Sequence, residues 1–230
     1  MSGDPKLSVI IPTLNAAPTL SATISSLKEG ASRFDFETIV ADCGSSDDTQ
    51  KISKNLGLKV ITAPKGRGQQ MAAGVAASSG EWLIFLHADT LLEAGWSEEV
   101  LEFIQRGDAK KLGAYFRFSL NDNHPKAIRM AYVVAWRARV FGLPYGDQGF
   151  FISRQFLDEI GGVKSIPLME DVDLVRRVGR KNLHAFNTKT VTSAIRYLKS
   201  GYYRRASLHL FCLALYFIGV PIKYIVKVYG

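Results

Sequence analysis

The sequence predicts an α/β protein: a mostly parallel, doubly wound sheet with helices on both faces and a helical C-terminal appendage. Three observations predict it. Short apolar runs alternate with helix-periodic stretches through the first 120 residues, the order of βαβ units. The runs are continuously apolar, as in strands buried on both faces. Each of the first four also ends on polar, glycine or carboxylate residues, at the edge where open α/β sheets bind ligands.

The strands are LSVIIP (7–12), FETIVA (36–41), LKVIT (58–62), EWLIFL (81–86) and LGAYFRF (112–118). Between them, helices are predicted over 18–28, 47–56, 69–78 and 96–106. The second has a cap written in, Ser46 or Asp47, with Asp48 in its positive first turn. Beyond residue 120 the pattern loosens into a helix over 124–143, then GDQGFFISR (146–154) and PLMEDVDLVRR (167–177), the latter opening a helix. Residues 1–200 read as one domain with halves 1–120 and 121–200, and 201–230 as a basic, apolar segment. Its apolar run, Leu208 to Ile222, lies between Arg204, Arg205, Lys223 and Lys227. That is short of the roughly 20 residues needed to span a bilayer. Flanking cations and aromatics suit a helix in the membrane interface; burial against the core or a homodimer contact would also account for it.

With 47% hydrophobic and 22% charged residues, the chain has the composition of an ordered globular protein. Its net charge of +8 belongs to the tail: residues 174–230 hold 11 Lys and Arg and no acid. Such asymmetry suggests an anionic partner. Nucleic acid is not expected, because no nucleic-acid-binding motif accompanies the charge. Cys43 and Cys212 form no disulfide or zinc pattern, and the apolar run at the start is too short for a secretory leader. The expected setting is cytoplasmic, with a peripheral seat on the inner face of the membrane if the tail is interfacial.

The strand ends carry the chemistry. Asp42 is placed to accept hydrogen bonds from a nucleobase or ribose, or to shape the turn before Gly44. Arg67, between two glycines, is suited to phosphate, since glycine lets the backbone approach; Gly66-Arg67-Gly68 also reads as a plain turn. Asp89 offers a hard oxygen for Mn²⁺ or Mg²⁺; His87 could ligate Mn²⁺ or hydrogen-bond phosphate, but a structural role is favoured over ligation. Glu170, Asp171 and Asp173 place three carboxylates at a helix start, where one would serve as a general base; complementing the helix dipole would account for Glu170 or Asp173 but less readily for all three. The first strand is followed by neither G-x-G-x-x-G nor a P-loop, which disfavours dinucleotide and P-loop chemistry.

Taken in order, SVIIPTLNAAPTL, IVADCGSSDDT, GRGQQMAAG, LIFLHADT, GDQGFFISR and PLMEDVDLVRR resemble the family 2 glycosyltransferases, inverting enzymes of the GT-A, Rossmann-like fold. The likeness runs from about Leu7 to Arg196 and is nearest to small bacterial stand-alone members with H-A-D and M-E-D motifs. It implies that Pro12, Thr13 and Asp42 surround the nucleoside of a nucleotide-sugar, UDP being favoured, with Arg67 near the nucleotide. It further implies that Asp89 binds a metal-diphosphate, with Mn²⁺ or Mg²⁺ as cofactor, and that Arg196 reaches the diphosphate. Asp171 is implied as the catalytic base, with Gly146, Asp147, Gln148 and Glu170 on the acceptor side. The acceptor is expected to be lipid-linked or a small molecule. Two positions depart from the pattern: Ala16 stands where relatives carry Glu, and His87 replaces the first Asp of D-x-D. Two rivals are a catalytically silent nucleotide-binding or membrane-surface module and a sugar-phosphate nucleotidyltransferase. The latter carries a glycine-rich loop after its first strand, where this chain has PTLNAA.

Overall fold

The computed structural model describes residues 6–30 and 36–229, with the side chains of Arg196, Lys199, Ser200, Tyr203 and Arg205 outside the description. Among the described residues, eight strands form one sheet: β1 (Leu7–Thr13), β2 (Phe36–Asp42), β3 (Lys59–Thr62), β4 (Trp82–Phe85), β5 (Thr90–Leu92), β6 (Gly113–Leu120), β7 (Phe150–Ser153) and β8 (Leu183–Thr192). Their order is β3-β2-β1-β4-β7-β6-β8-β5. The first four are mutually parallel, and β8 is parallel to β6. The antiparallel partners are β7 and β5. The continuously apolar runs do lie in the middle: β1 and β4 are buried along nearly their whole length.

Helices α1 (Ala17–Gly30), α2 (Thr49–Asn55), α3 (Arg67–Ala77) and α4 (Trp96–Ile104) follow the early strands. The predicted start of the second helix is corrected. It begins at Thr49, and its N-cap, Asp48, makes no capping bond. Asp47 instead accepts from the Thr49 amide and hydroxyl and from the amide of Ala17 at 3.0 Å, so it ties α1 to α2. The Thr49 hydroxyl in turn accepts from the Ala16 amide. Orphan donors at a helix start need such acceptors.

Later come α5 (Pro125–Phe141), α6 (Arg154–Glu159) and α7 (Glu170–Val178), then α8 (Ile195–Ser200), α9 (Tyr202–Phe217) and α10 (Ile222–Tyr229). The tail is not the single apolar helix the run suggested, because Gly219 turns at positive φ and Pro221 precedes α10. Cys212, Leu213 and Ile225 are buried in the same cluster as Ile10, Phe85 and Val172. The tail is thus packed on the sheet's core through one side. Leu210, Phe211, Phe217, Ile218 and Tyr224 are exposed on the other. Among the described residues no helix is long and apolar enough to cross a membrane.

Candidate active site

The parallel register sets the first part of the site. β1 and β2 end in step, with Thr13 opposite Asp42, and the Thr13 hydroxyl donates to Asp42 Oδ1 at 2.9 Å. The Ser45 hydroxyl, the Gly44 and Ser45 amides and Gln50 Nε2 also donate to this carboxylate. Burial, with only 1% of the residue exposed, would raise its pKa. The Ser45 hydroxyl and amide, Gln50 and Thr13 overcome that and leave it below the ordinary value. The acceptor sites of Asp42 are therefore taken up by its own chain. It builds the 43–46 turn behind the cleft, and it is Cys43 that reaches the cleft wall.

α3 starts close to the chain before α7. A Cβ on Gly68 would lie 2.4 Å from the carbonyl oxygens of Ile166 and Lys164, and the Gly68 amide donates to Ile166 O. The expected use of glycine for close approach is thus met by the protein's own backbone. It sets Arg67 against Glu170, with Nε 2.9 Å from Oε1. Glu170, expected on the acceptor side, is only 1% exposed and does not line the main cavity. Burial pushes its carboxyl up to about 7 against the pull of Arg67, with Asp171 adding to the rise. Arg67 itself stays 32% exposed and faces the cleft.

α7 opens with Met169 in the left-handed region, φ 64°, a conformation costing on the order of 1 kcal/mol for a non-glycine residue. This turn delivers Glu170 inward and Asp171 to the cavity. Asp171 accepts from the Gly146 amide at 2.9 Å and from the Val172 amide at 2.7 Å, one bond to each oxygen. Each oxygen keeps a second lone pair with which to accept. A larger residue at Gly146 would have to displace His87: a Cβ there would sit 2.6 Å from His87 Nε2 and 3.3 Å from Asp171 Oδ2. His87 and Asp171 therefore flank one glycine.

Asp147 lines the same cavity, and its Oδ1 is buried with no hydrogen-bond partner among the described residues. Burial first, then the nearby charges of Asp171 and Asp89, lift its pKa to about 6, while Arg137 pulls it down. Gln148, expected beside it, does not reach the cavity. It is buried, donates to Phe116 O and accepts from the Tyr145 amide. Asp173, third of the carboxylates, is fixed by Lys164 and Arg177 and is structural.

Two joined spaces result. One, about 770 Å³ of non-atom space, is lined by Asp89, Asp147, Asp171, Leu168, Tyr197 and His209 among others. The other, about 1720 Å³ and open to solvent, runs along Pro12, Thr13, Asn15, Cys43, Lys65 and Gln70. Arg67, His87, Asp89, Leu168, Ser193 and Tyr229 line both. Arg196 falls in α8, its side chain outside the described residues. Sequence reasoning missed Tyr145, Thr192, Ser193, Tyr197, His209, Leu213 and Tyr229. Tyr145 directly precedes the Gly146–Gln148 turn; no local motif marks the others, which only the return of β8, the segment after it and the tail brings to the β4 end.

The same architecture is found in solved glycosyltransferase structures. Glucosyl-3-phosphoglycerate synthase from Mycobacterium tuberculosis, crystallised with Mn²⁺, UDP and glucosyl-3-phosphoglycerate, superposes with a TM-score of 0.61 at 18% identity, over 95% of this chain and 81% of that one. S. aureus TarS 1-349 with UDP-GlcNAc gives 0.64 at 15%, over 97% and 70%. The fold is that of a GT-A glycosyltransferase. The chain belongs to glycosyl transferase family 2, whose model matches residues 8–161. Among curated relatives, a PGL/p-HBAD biosynthesis glycosyltransferase of Mycobacterium bovis is 39% identical over 108 residues, 44% of this chain and 42% of that protein. The chain thus spans less than half the length of that relative.

Proposed function

We propose that this protein transfers a sugar from a nucleotide-sugar, UDP being the favoured nucleotide, to an acceptor hydroxyl with inversion at the anomeric carbon. The observation that carries the reading is the joining of the two spaces: Asp171 and Asp89 line one cavity that opens into the cleft of Pro12 and Thr13. Asp171 is the general base. Its Gly146 and Val172 bonds fix the carboxylate, and its remaining lone pairs accept the acceptor's proton as the oxygen attacks. Pro12 and Thr13 flank the nucleoside, and Asp42 holds the turn that shapes that wall. Arg67 and Asp89 lie toward the diphosphate. Arg196 is assigned to the diphosphate on resemblance alone. Gly146 and Asp147 sit on the sugar and acceptor side.

A divalent cation fits this donor set. Among the described residues no group of three or more His, Cys, Asp and Glu could hold a metal ion by itself. Asp89 therefore suits a hard cation that takes most of its oxygens from the diphosphate, and the like charges crowding Asp147 favour a cation nearby. When bound, Mn²⁺ or Mg²⁺ neutralises charge on the departing diphosphate. His87 is assigned no ligand role, since its Nε2 faces Gly146. The similar protein crystallised with Mn²⁺ and UDP supports the choice of metal and nucleotide.

The exposed apolar side of α9 and α10, with Arg204, Lys223 and Lys227 also exposed, supports contact with an anionic membrane surface at its cytoplasmic face. Flotation of the full chain with phosphatidylglycerol vesicles, but not with neutral ones, is the expected result. A concentration-dependent dimer that fails to float would replace the membrane with a second copy. For the reaction, purified protein is incubated with UDP-, GDP- and dTDP-sugars, each with Mn²⁺ and Mg²⁺, and product anomers are read by NMR. Turnover of none of these donors would sink the proposal.

A further inference from the structure

The tail closes over the catalytic cavity, and its contribution is aromatic and apolar. His209 and Leu213 of α9 and Tyr229 of α10 line the space that holds Asp171. The His209 and Tyr229 rings stack at 5.4 Å and 18°, with the Tyr229 hydroxyl 3.3 Å from His209 Nε2. Leu168 and Val172 from the α7 segment and Tyr197 from α8 complete the wall. α9 is tied to the helix of the base, since Arg176 of α7 lies over the Phe217 ring at 5.0 Å. Asp89, Asp147 and Asp171 line the same space. Among the described lining residues Arg67 is the only Lys or Arg, and it is paired with Glu170.

With the metal engaged by the diphosphate, an acceptor bearing phosphate or carboxylate next to its hydroxyl would set its charge against Asp89, Asp147 and Asp171, where the one Lys or Arg among the described lining residues, Arg67, is already paired with Glu170. A neutral, apolar or aromatic body would instead bury against the rings and leave its hydroxyl at Asp171. The buried Tyr145 hydroxyl, without a partner among the described residues, lines the same cavity and suits a polar atom beside that hydroxyl.

We propose that His209, Leu213 and Tyr229 form the specificity wall of the acceptor site, and that the acceptor is an alcohol or phenol on an uncharged apolar body. The inference rests on the proposed transfer reaction. The full chain, saturated with UDP and Mn²⁺, is titrated calorimetrically with geraniol, 4-methoxyphenol, glycerol and glycerate. Geraniol and 4-methoxyphenol are expected to bind at least about tenfold tighter than the two polar probes. His209→Ala weakens geraniol about tenfold, and His209→Phe, which keeps a ring, restores it to within about threefold. UDP affinity stays the same throughout and reports an intact fold. Glycerol or glycerate binding as well as geraniol, or His209→Ala binding geraniol like the wild type, overturns the wall. If UDP binds and geraniol does not, the wall alone fails; if UDP does not bind, the donor reading fails and the wall with it.

Discussion

Two carboxylates at the sheet's ligand-binding rim, Asp42 and Asp147, have opposite fates. Asp42 ends β2 and collects donors from Thr13, Ser45, Gly44 and Gln50, which hold it ionised. Asp147, in the turn before β7, keeps a buried oxygen without a partner among the described residues and is pushed up to about 6. Burial acts on both in the same sense, so the donors around Asp42 and the like charges beside Asp147 decide the outcome. A saturated carboxylate is part of the framework, while an under-satisfied one beside others of like charge is chemistry waiting for a ligand. The contrast follows the halves of the molecule. The first half spends its polar groups on loops that shape a cleft, and the second leaves Asp147 and Asp171 with acceptor capacity.

The largest expected effect tests the second half directly. Asp171→Asn keeps the size and the Gly146 bond in part but cannot take a proton, so kcat falls by about 10²–10⁴. UDP affinity measured by calorimetry stays within about twofold. A kcat within tenfold of wild type would remove Asp171 from the role of base.

Arg67→Ala should be next. It strips the partner from buried Glu170, and stability at pH 8 falls by about 2–3 kcal/mol in urea unfolding. Protonation of Glu170 limits the loss, so the deficit shrinks below the carboxyl's value of about 7. A deficit equal at pH 5 and pH 8 would mean that the pair contributes through packing instead.

Asp42→Asn turns an acceptor into a donor facing the Gly44, Ser45 and Gln50 donors. A loss of about 2 kcal/mol is expected, with no change in the Mn²⁺ dependence of UDP binding. Asp147→Asn should go the other way, and this is the smallest effect. Because the folded-state pKa of Asp147 is raised, the folded protein holds the proton more tightly. Stability therefore declines as pH rises from about 4 to about 6. The asparagine variant lacks that decline and is the more stable of the two above pH 6, with no difference below pH 4. Thermal unfolding across this range checks it. If Asp42→Asn and Asp147→Asn both destabilise at pH 8, the contrast between the two carboxylates is lost.

Much of this was legible in the chain. The early strands and helices appear within a few residues of their predicted bounds, because continuous apolar runs and helical periodicity are local signals. The short strands β5 and β7 and the late strand β8 were not predicted, since their hydrogen-bond partners lie far away in sequence. Glu170 and Gln148 look, from their motifs, like ligands of the site; burial beside Arg67 and beneath β6 makes them supports. The tail reads as one apolar helix, yet Gly219 and Pro221 split it and Cys212 and Ile225 anchor it in the core.

By itself, the sequence determined the α/β class, the polar strand ends and the Asp89 and Asp171 motifs, all set by patterns within about a dozen residues. Only the tertiary structure decided which carboxylates are saturated and which are left with capacity, and that His209 and Tyr229 share a cavity with Asp171. The physical reason is that hydrogen-bond supply and burial depend on what other segments bring to a residue. In this protein the segments that meet at the site come from both ends of the chain.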